Sequence, residues 1–278
     1  MQDKAREFEY TQDDFNFLRK LSNEHSGIIV TDDKFNMFYS RLSKRIRMLG
    51  LESFKEYCRY LEQNPDKEFT EFINSVTTNL TAFFRENHHF EYLKNTLIPE
   101  IIKKNHASKT ITLWSAGCST GEEPYSLAMT LLENVPASWT IKILATDLDT
   151  NVLKTSAAGI YTADRIGGLS EERLKRWFKN GVGANANKVK VKSTVQQLIR
   201  FRQLNLMREW PMKGKFDFIF CRNVLIYFDR ETKETLARRY ASFLDIGGHL
   251  FIGHSESLHQ LSTEFDLVGN TIYKKKKG

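Results

Sequence analysis

Cysteine is scarce in this chain: three in 278 residues, Cys58, Cys118 and Cys221. They are odd in number, far apart and lack metal-ligand spacing, so a disulfide framework and a cysteine metal site are both unexpected. No apolar run approaches the roughly 20 residues that cross a bilayer, and Met1 to Glu7 lacks the apolar segment of a signal peptide. There are no internal repeats. Neither the dinucleotide fingerprint G-x-G-x-x-G nor the G-K-[ST] ending of a phosphate loop occurs in the one glycine turn that leads from a strand into a helix. These absences point to a reduced, cytoplasmic protein whose ligand is not a nucleotide triphosphate.

What is present begins with charge. The formal net charge is +7, which suits an acidic partner: nucleic acid, an anionic membrane face or an acidic protein surface. Part of it is the terminal run Lys274 to Lys277.

Residues 1 to about 105 read as helices. Thr11 to Asp14 has the form of a capping box ahead of Phe15, Leu18 and Leu21. A second helix covers 32–49, with Gly50 as terminator. A third covers 53–63, a fourth 67–78 beyond the Asn64-Pro65 break, and a fifth 88–104 with Pro99 as a kink. From 110 onward strands (111–116, 141–146, 216–221, 248–253) alternate with helices (123–134, 151–157, 230–244), which predicts a parallel sheet covered on both faces. Residues 265–268 and 271–274 fit a closing antiparallel hairpin. Within 163–203, the alternating runs 188–192 and 198–202 predict half-exposed strands of a small antiparallel subdomain inserted in the α/β domain.

The chemistry concentrates where strands end. Leu113-Trp-Ser-Ala-Gly-Cys-Ser-Thr-Gly-Glu-Glu-Pro-Tyr-Ser126 runs from a strand through a glycine turn into a helix, the layout that lets a ligand approach backbone closely. No lysine follows to hold phosphates. Two glutamates, Glu122 and Glu123, open the helix instead. Carboxylates there repel a triphosphate but accept hydrogen bonds from an ammonium or a ribose, which favours S-adenosylmethionine. Asp147, ending the second strand, is the acid expected at the ribose hydroxyls, with Asp149 the better N-cap for the next helix. The strand 216–221 delivers Arg222 and Asn223, then Tyr227, to the carboxyl edge of the sheet, where open α/β folds place their sites. It does not carry the Asp/Asn-Pro-Pro-Tyr/Phe pattern of amino-group nucleic-acid methyltransferases. His254-Ser-Glu256 contains the residue types of a hydrolase triad, but sequence neighbours cannot form one. His88-His89 lacks partners at metal spacing, so no metal is expected.

Thr78-Asn-Leu-Thr-Ala-Phe-Phe-Arg-Glu86, Trp114 to Ser126, Ala145-Thr-Asp-Leu-Asp149, Cys221 to Phe228 and Gly253-His-Ser-Glu-Ser257 together resemble the chemotaxis receptor methyltransferases, the CheR family, in the family's order and over nearly the whole chain. The resemblance implies an all-α N-terminal domain (1–85) that contacts the receptor. It implies a class I, Rossmann-like S-adenosylmethionine-dependent methyltransferase domain (86–278), with the inserted β subdomain inside it. It also implies transfer of a methyl group to receptor glutamates, giving γ-glutamyl methyl esters and S-adenosylhomocysteine. Asn79, Thr81 and Arg85 are then expected to contact the cofactor from the linker. Gly117, Glu122 or Glu123, Asp147, Asn205, Leu206, Asn223 and Val224 are expected to contact it from the sheet side. Arg85 and Tyr227 are expected beside the transferring methyl.

The resemblance implies partners too. The helix 32–49 has no acidic residue after Asp33, and at about 100° per residue its Arg41, Lys44, Arg45 and Arg47 spread over the flank and rear, a face for acidic receptor helices. Some family members bind a receptor C-terminal pentapeptide at the β subdomain behind a Gly-x-Gly-x-x-x-Gly loop; here Gly181 and Gly183 match and Asn187 stands third. Nucleic-acid binding and membrane insertion are not expected, and recruitment from the cytoplasm to membrane receptor arrays is. A silent S-adenosylmethionine-binding adaptor and a nucleic-acid methyltransferase remain as the rival readings.

Overall fold

The computed structural model of the chain describes residues 6–276; Lys277, the last of the terminal lysines, lies outside the described residues. Helix α1 (Gln12–Ser26) opens on the predicted reciprocal cap: Asp14 N–H donates to the Thr11 side chain, and Thr11 N–H to the Asp14 carboxylate. A 3-10 turn, Asp32–Lys34, leads into α2 (Phe35–Leu49), which Gly50 stops at φ 70°. Asn64 joins α3 (Phe54–Gln63) to α4 (Pro65–Val76). Pro65 therefore starts a helix as well as ending one, since the first helical position has no use for an N–H. Phe15, Leu18, Phe38, Leu42, Ile46, Phe54, Tyr57 and Phe72 close a single core among these helices.

The basic flank of α2 differs from the expectation. Arg45 makes a bidentate pair with Glu68 (2.8 and 2.6 Å), and Glu68 also accepts from Tyr57 Oη (2.9 Å). Arg41 donates to the carbonyls of Val76 (2.8 Å) and Thr77 (2.6 Å), and Arg47 pairs with Glu7. Lys44 is the one of the four that is exposed with no ion-pair partner among the described residues. Arg41 and Arg45 are thus spent inside the domain: the carbonyls at the end of α4 and the buried Glu68 each need a cation, and α2 supplies both. Arg45→Ala should lower stability by about 2 kcal/mol by leaving Glu68 buried and half-paired, reduced from the fully buried case because water still reaches Arg45. An unchanged urea midpoint would remove that role.

Helices α5 (Asn87–Tyr92) and α6 (Ile98–Lys104) are one rod with a π-helical turn, Leu93–Leu97, just ahead of Pro99. Pro99 has no N–H for the ladder and its ring crowds the preceding turn, so the rod widens there instead of kinking. The strands are β1 (Thr110–Ala116), β2 (Thr140–Asp147), β3 (Ile160–Thr162), β4 (Phe178–Asn180), β5 (Lys188–Val191), β6 (Ile199–Gln203), β7 (Phe216–Cys221), β8 (Leu244–Ile252), β9 (Phe265–Gly269) and β10 (Ile272–Lys275). The large sheet has the order β6-β2-β1-β7-β8-β10-β9, all parallel except β10, which runs antiparallel to both neighbours. Helices α5, α6 and α7 (Glu122–Asn134) cover one face with Leu113, Phe218, Phe220 and Phe251. Then α8 (Thr150–Ala158), α9 (Glu171–Trp177) and α10 (Ser193–Gln196) follow in the chain, and α11 (Arg230–Phe243) covers the other face with Trp114, Ile219, Cys221, Leu250 and Ile252. Successive strand residues facing opposite helices explain why these strands are apolar throughout.

The small sheet is β3-β5-β4, and here the expected boundary is corrected. The run 198–202 does not join it; as β6 it pairs in parallel with β2, Ile143 opposite Ile199, and forms the edge of the large sheet. Its alternation reports an edge strand with one face solvated, a pattern that does not say which sheet the strand joins. Its place in the subdomain is taken by β3, which lies ahead of 163. Among the described residues no helix is long and apolar enough to cross a membrane.

Candidate active site

The carboxyl ends of β1, β2, β6 and β7 open into a cavity of about 400 Å³ roofed by the helical domain and the linker 77–85. Its lining brings together Asn79, Thr81, Arg85, Gly117, Glu123, Asp147, Asn205, Leu206, Asn223, Val224 and Tyr227.

The floor is the glycine turn. Gly117 sits at φ 86°, and a Cβ there would lie 2.4 Å from Val224 Cγ2, so the turn can approach β7 only as glycine. Gly117 and Cys118 N–H both donate to the Thr146 carbonyl (2.8 and 2.9 Å), locking the turn to the end of β2. Ser119, also left-handed at φ 48°, turns its N–H onto Asp147 Oδ2 (2.8 Å), and Asp149 N–H donates to Oδ1 (3.0 Å). Burial pushes the Asp147 carboxyl up to about 6, against the pull of these donors.

The two glutamates part company. Glu123 lines the cavity, accepts from Ser115 Oγ (2.7 Å) and lies 3.5 Å from the Arg222 guanidinium; burial raises its pKa while Arg222 opposes. Glu122 is fully buried, paired with Arg165 and accepting from Thr120 Oγ1 (2.7 Å). It is not a cavity residue. Adjacent helical positions point about 100° apart, so only one of the pair can face the site.

Two expected contacts are used differently. The Asn79 side-chain NH₂ donates to Asp149 Oδ2 (2.8 Å) and the Asn79 backbone carbonyl accepts from Ser119 Oγ (3.0 Å), so Asn79 fastens the linker down and meets the cavity with what remains. Asn205 donates to the His25 carbonyl (2.6 Å) and accepts from Met207 N–H, tying the end of α1 to the sheet edge.

Arg85 lies between two left-handed residues, Phe84 (φ 52°) and Glu86 (φ 56°); its guanidinium donates to the Leu80 carbonyl (2.9 Å). The buried Arg222 reaches under the linker and donates to the Arg85 carbonyl, between Glu86 and Glu123 at 3.5 Å each. Tyr227 stands in a 3-10 turn, Leu225–Tyr227, with its carbonyl accepting from Ile29 N–H (2.8 Å). Burial raises its phenol pKa; Arg41, Arg85 and Lys34 pull the other way.

Sequence reasoning placed Arg222 at the carboxyl edge without its contacts to the linker, and missed Ser119, the second use of Asp149 and the wall of Ile28, Ile29 and Lys34. All act on partners distant in the chain, and local spacing carries no signal for that. Glu86, His88 and His89 bring ligand atoms within 4.8 Å of one another. However, Arg222 already sets a positive charge against Glu86, and burial holds His89 down at about 3.

A parallel sheet closed by an antiparallel β10, with a glycine turn after β1 and carboxylates after β1 and β2 but no phosphate-holding lysine, defines a class I S-adenosylmethionine-dependent methyltransferase. Residues 13–77 match the all-α domain of CheR methyltransferases and 79–274 match their S-adenosylmethionine-binding domain. The chain belongs to the CheR methyltransferase family. It is 43% identical over 253 residues to a probable chemotaxis protein methyltransferase of Rhizobium etli, covering 90% of this chain and 94% of that one. It is 42% identical to chemotaxis protein methyltransferase 2 of Pseudomonas aeruginosa (96% and 95% covered) and 41% identical to the chemotaxis protein methyltransferase of Escherichia coli (93% and 89%).

Proposed function

We propose that the chain methylates glutamate side chains of chemotaxis receptors, forming γ-glutamyl methyl esters. The observation that carries it is the mouth of the cavity, where Arg85 and Tyr227 converge beside carboxylates suited to an ammonium and a ribose. The cavity residues fit S-adenosylmethionine: Glu123 and Asp147 are hydrogen-bond acceptors, and the bare Gly117 turn admits a ligand against backbone. When bound, that cofactor supplies an electrophilic methyl on a sulfonium.

The chain has little else to do. A glutamate acceptor is already ionised at neutral pH, so no general base is needed. Arg85 orients the carboxylate through its guanidinium N–H donors while one oxygen keeps a lone pair free to attack. Tyr227, kept protonated by burial, donates a hydrogen bond that orients the acceptor without taking a proton. The roof of helical domain and linker keeps water from the methyl.

Docking of a receptor tail at the small sheet also belongs to this reading. A Cβ on Gly181 would lie 2.0 Å from the Asn185 carbonyl oxygen, and Gly183 holds φ 57°, so both glycines shape the β4–β5 turn. Asn187 is not among the left-handed residues, so its position makes no demand for glycine. The outer strand β4 offers an edge for strand addition, and recruitment to receptor arrays follows from such a tether.

The test is incubation with methyl-labelled S-adenosylmethionine and a receptor cytoplasmic fragment, followed by alkali. Volatile label released as methanol is expected; no transfer to protein, or label on nucleic acid alone, overturns the reading.

A further inference from the structure

Arg85, in the linker, and Tyr227, in the turn after β7, form two walls of the cavity, and one short loop leaving β8, Gly253 to Ser257, is bonded to both segments. Glu256 accepts N–H donors from Asn223 (2.9 Å), Ile226 (3.1 Å) and Gly253, so its two oxygens fasten the turn that leads to Tyr227. His254 Nδ1 donates to Glu86 Oε1 (2.9 Å), fastening the residue next to Arg85. We propose that Glu256 and His254 are positioning residues for methyl transfer, setting the distance between the Arg85 and Tyr227 side chains across the mouth.

Three observations separate this from a loop that merely packs. Glu256 is buried and forms no ion pair among the described residues; burial pushes its carboxyl up and the backbone donors pull it back. A buried anion held only by backbone N–H groups is an expensive way to end a strand, whereas it is an effective way to fix three backbone positions at once. Second, the turn it fixes is left-handed at Asn223 (φ 59°), and both Asn223 and Ile226 line the cavity while donating to Glu256. Third, the loop is built around that contact. A Cβ on Gly253 would lie 2.5 Å from Asn223 Nδ2, 2.8 Å from Asn223 N and 2.9 Å from Glu256 Oε2, so the residue that lets the loop close on the turn before Tyr227 has to be glycine. His254 and Glu256 reach different walls, which also disposes of the triad their residue types suggest.

The proposal rests on the methyl-transfer reading and on the roles given there to Arg85 and Tyr227. It is tested on the full chain with a receptor fragment, reading kcat, KM and S-adenosylhomocysteine affinity. Glu256→Gln keeps the shape but sets an NH₂ against a backbone N–H, and should lower kcat about tenfold or more with KM for the receptor fragment little changed. His254→Ala, at an exposed position that does not threaten folding, should lower kcat about threefold to tenfold. In the Arg85→Ala background the same His254→Ala change should cost nothing further, because His254 acts through Arg85. A purely structural loop predicts independent, multiplying effects. Multiplying effects, or a kcat within about twofold of the parent for both single variants, would overturn the proposal. Should Glu256→Gln fail to fold, the His254 cycle still decides. Absence of any methyl ester from the parent protein sinks the reaction reading itself, an outcome distinct from an active parent whose variants behave independently.

Discussion

Arg85→Ala is expected to lower kcat by about 100-fold to 1,000-fold, the range seen when one preorganised donor is removed from a reacting oxygen. The backbone around Arg85 is unusually constrained for a linker. Left-handed residues stand on both sides of it, Phe84 N–H donates to Ser126 Oγ (3.0 Å), and the buried Arg222 holds its carbonyl. Left-handed φ at phenylalanine and glutamate costs of order 1–3 kcal/mol each, and the Ser126 and Arg222 bonds that help offset it hold the backbone on either side of Arg85. In the proposed role the group orients the acceptor as well as touching the cofactor, so the loss should fall chiefly on kcat, with S-adenosylhomocysteine affinity weakened to a smaller extent. Arg85→Lys should fall between, since an ammonium keeps the charge but lacks the fork. Unchanged kcat in single-turnover methylation would remove the assigned role.

Asp147→Ala is expected to weaken S-adenosylhomocysteine binding about 100-fold, taking about 1.5 kcal/mol for each of two ribose hydroxyls donating to a carboxylate. The pH dependence is sharper. With its carboxyl raised from 3.8 to about 6, Asp147 binds its proton more tightly folded than unfolded. This group therefore favours the folded state at low pH, and that contribution is lost as pH rises through about 6. Cofactor binding runs the other way. Ribose hydroxyls donate to the ionised form, so affinity should hold steady above pH 7 and fall about tenfold per unit below 6. Asp147→Asn should bind weakly and flatten that limb, apart from the share carried by Glu123, whose carboxyl burial also raises. Titration calorimetry between pH 5 and 8 measures it; a steep acid limb surviving in Asp147→Asn would move the ribose contact elsewhere.

Much of the architecture was legible because it is written in short-range chemistry. The Thr11 cap, the Gly50 stop and the strand ends at Ala116, Asp147 and Cys221 each follow from a few neighbouring residues. The helix-starting acids at 122 and 123 were visible too, but helical phase at a turn cannot be set from sequence to within one residue, and that residue decides which one enters the cavity. Cross-chain use of side chains was not legible. Arg41 and Arg45 read as part of a basic face for acidic receptor helices, yet their partners, the carbonyls at 76–77 and Glu68, lie on and at the end of another helix. Glu256 read as a loop acid because its partners precede it by some thirty residues.

Asp149 joins parts that domain boundaries would separate. One of its oxygens caps α8 through Asn151 N–H (2.8 Å), and the other accepts from Thr77 Oγ1 (3.0 Å) and the Asn79 amide (2.8 Å). Beside it Asn74 and Thr150 exchange two more hydrogen bonds. The helical domain is thus stitched to the end of β2, beside Asp147, by groups that a swap at residue 77 would split. A chimera taking its helices from one relative and its sheet from another inherits a working cofactor site only if residues 74, 77, 79, 149 and 150 travel together. Modular as the two halves look, they are exchangeable only as a matched set.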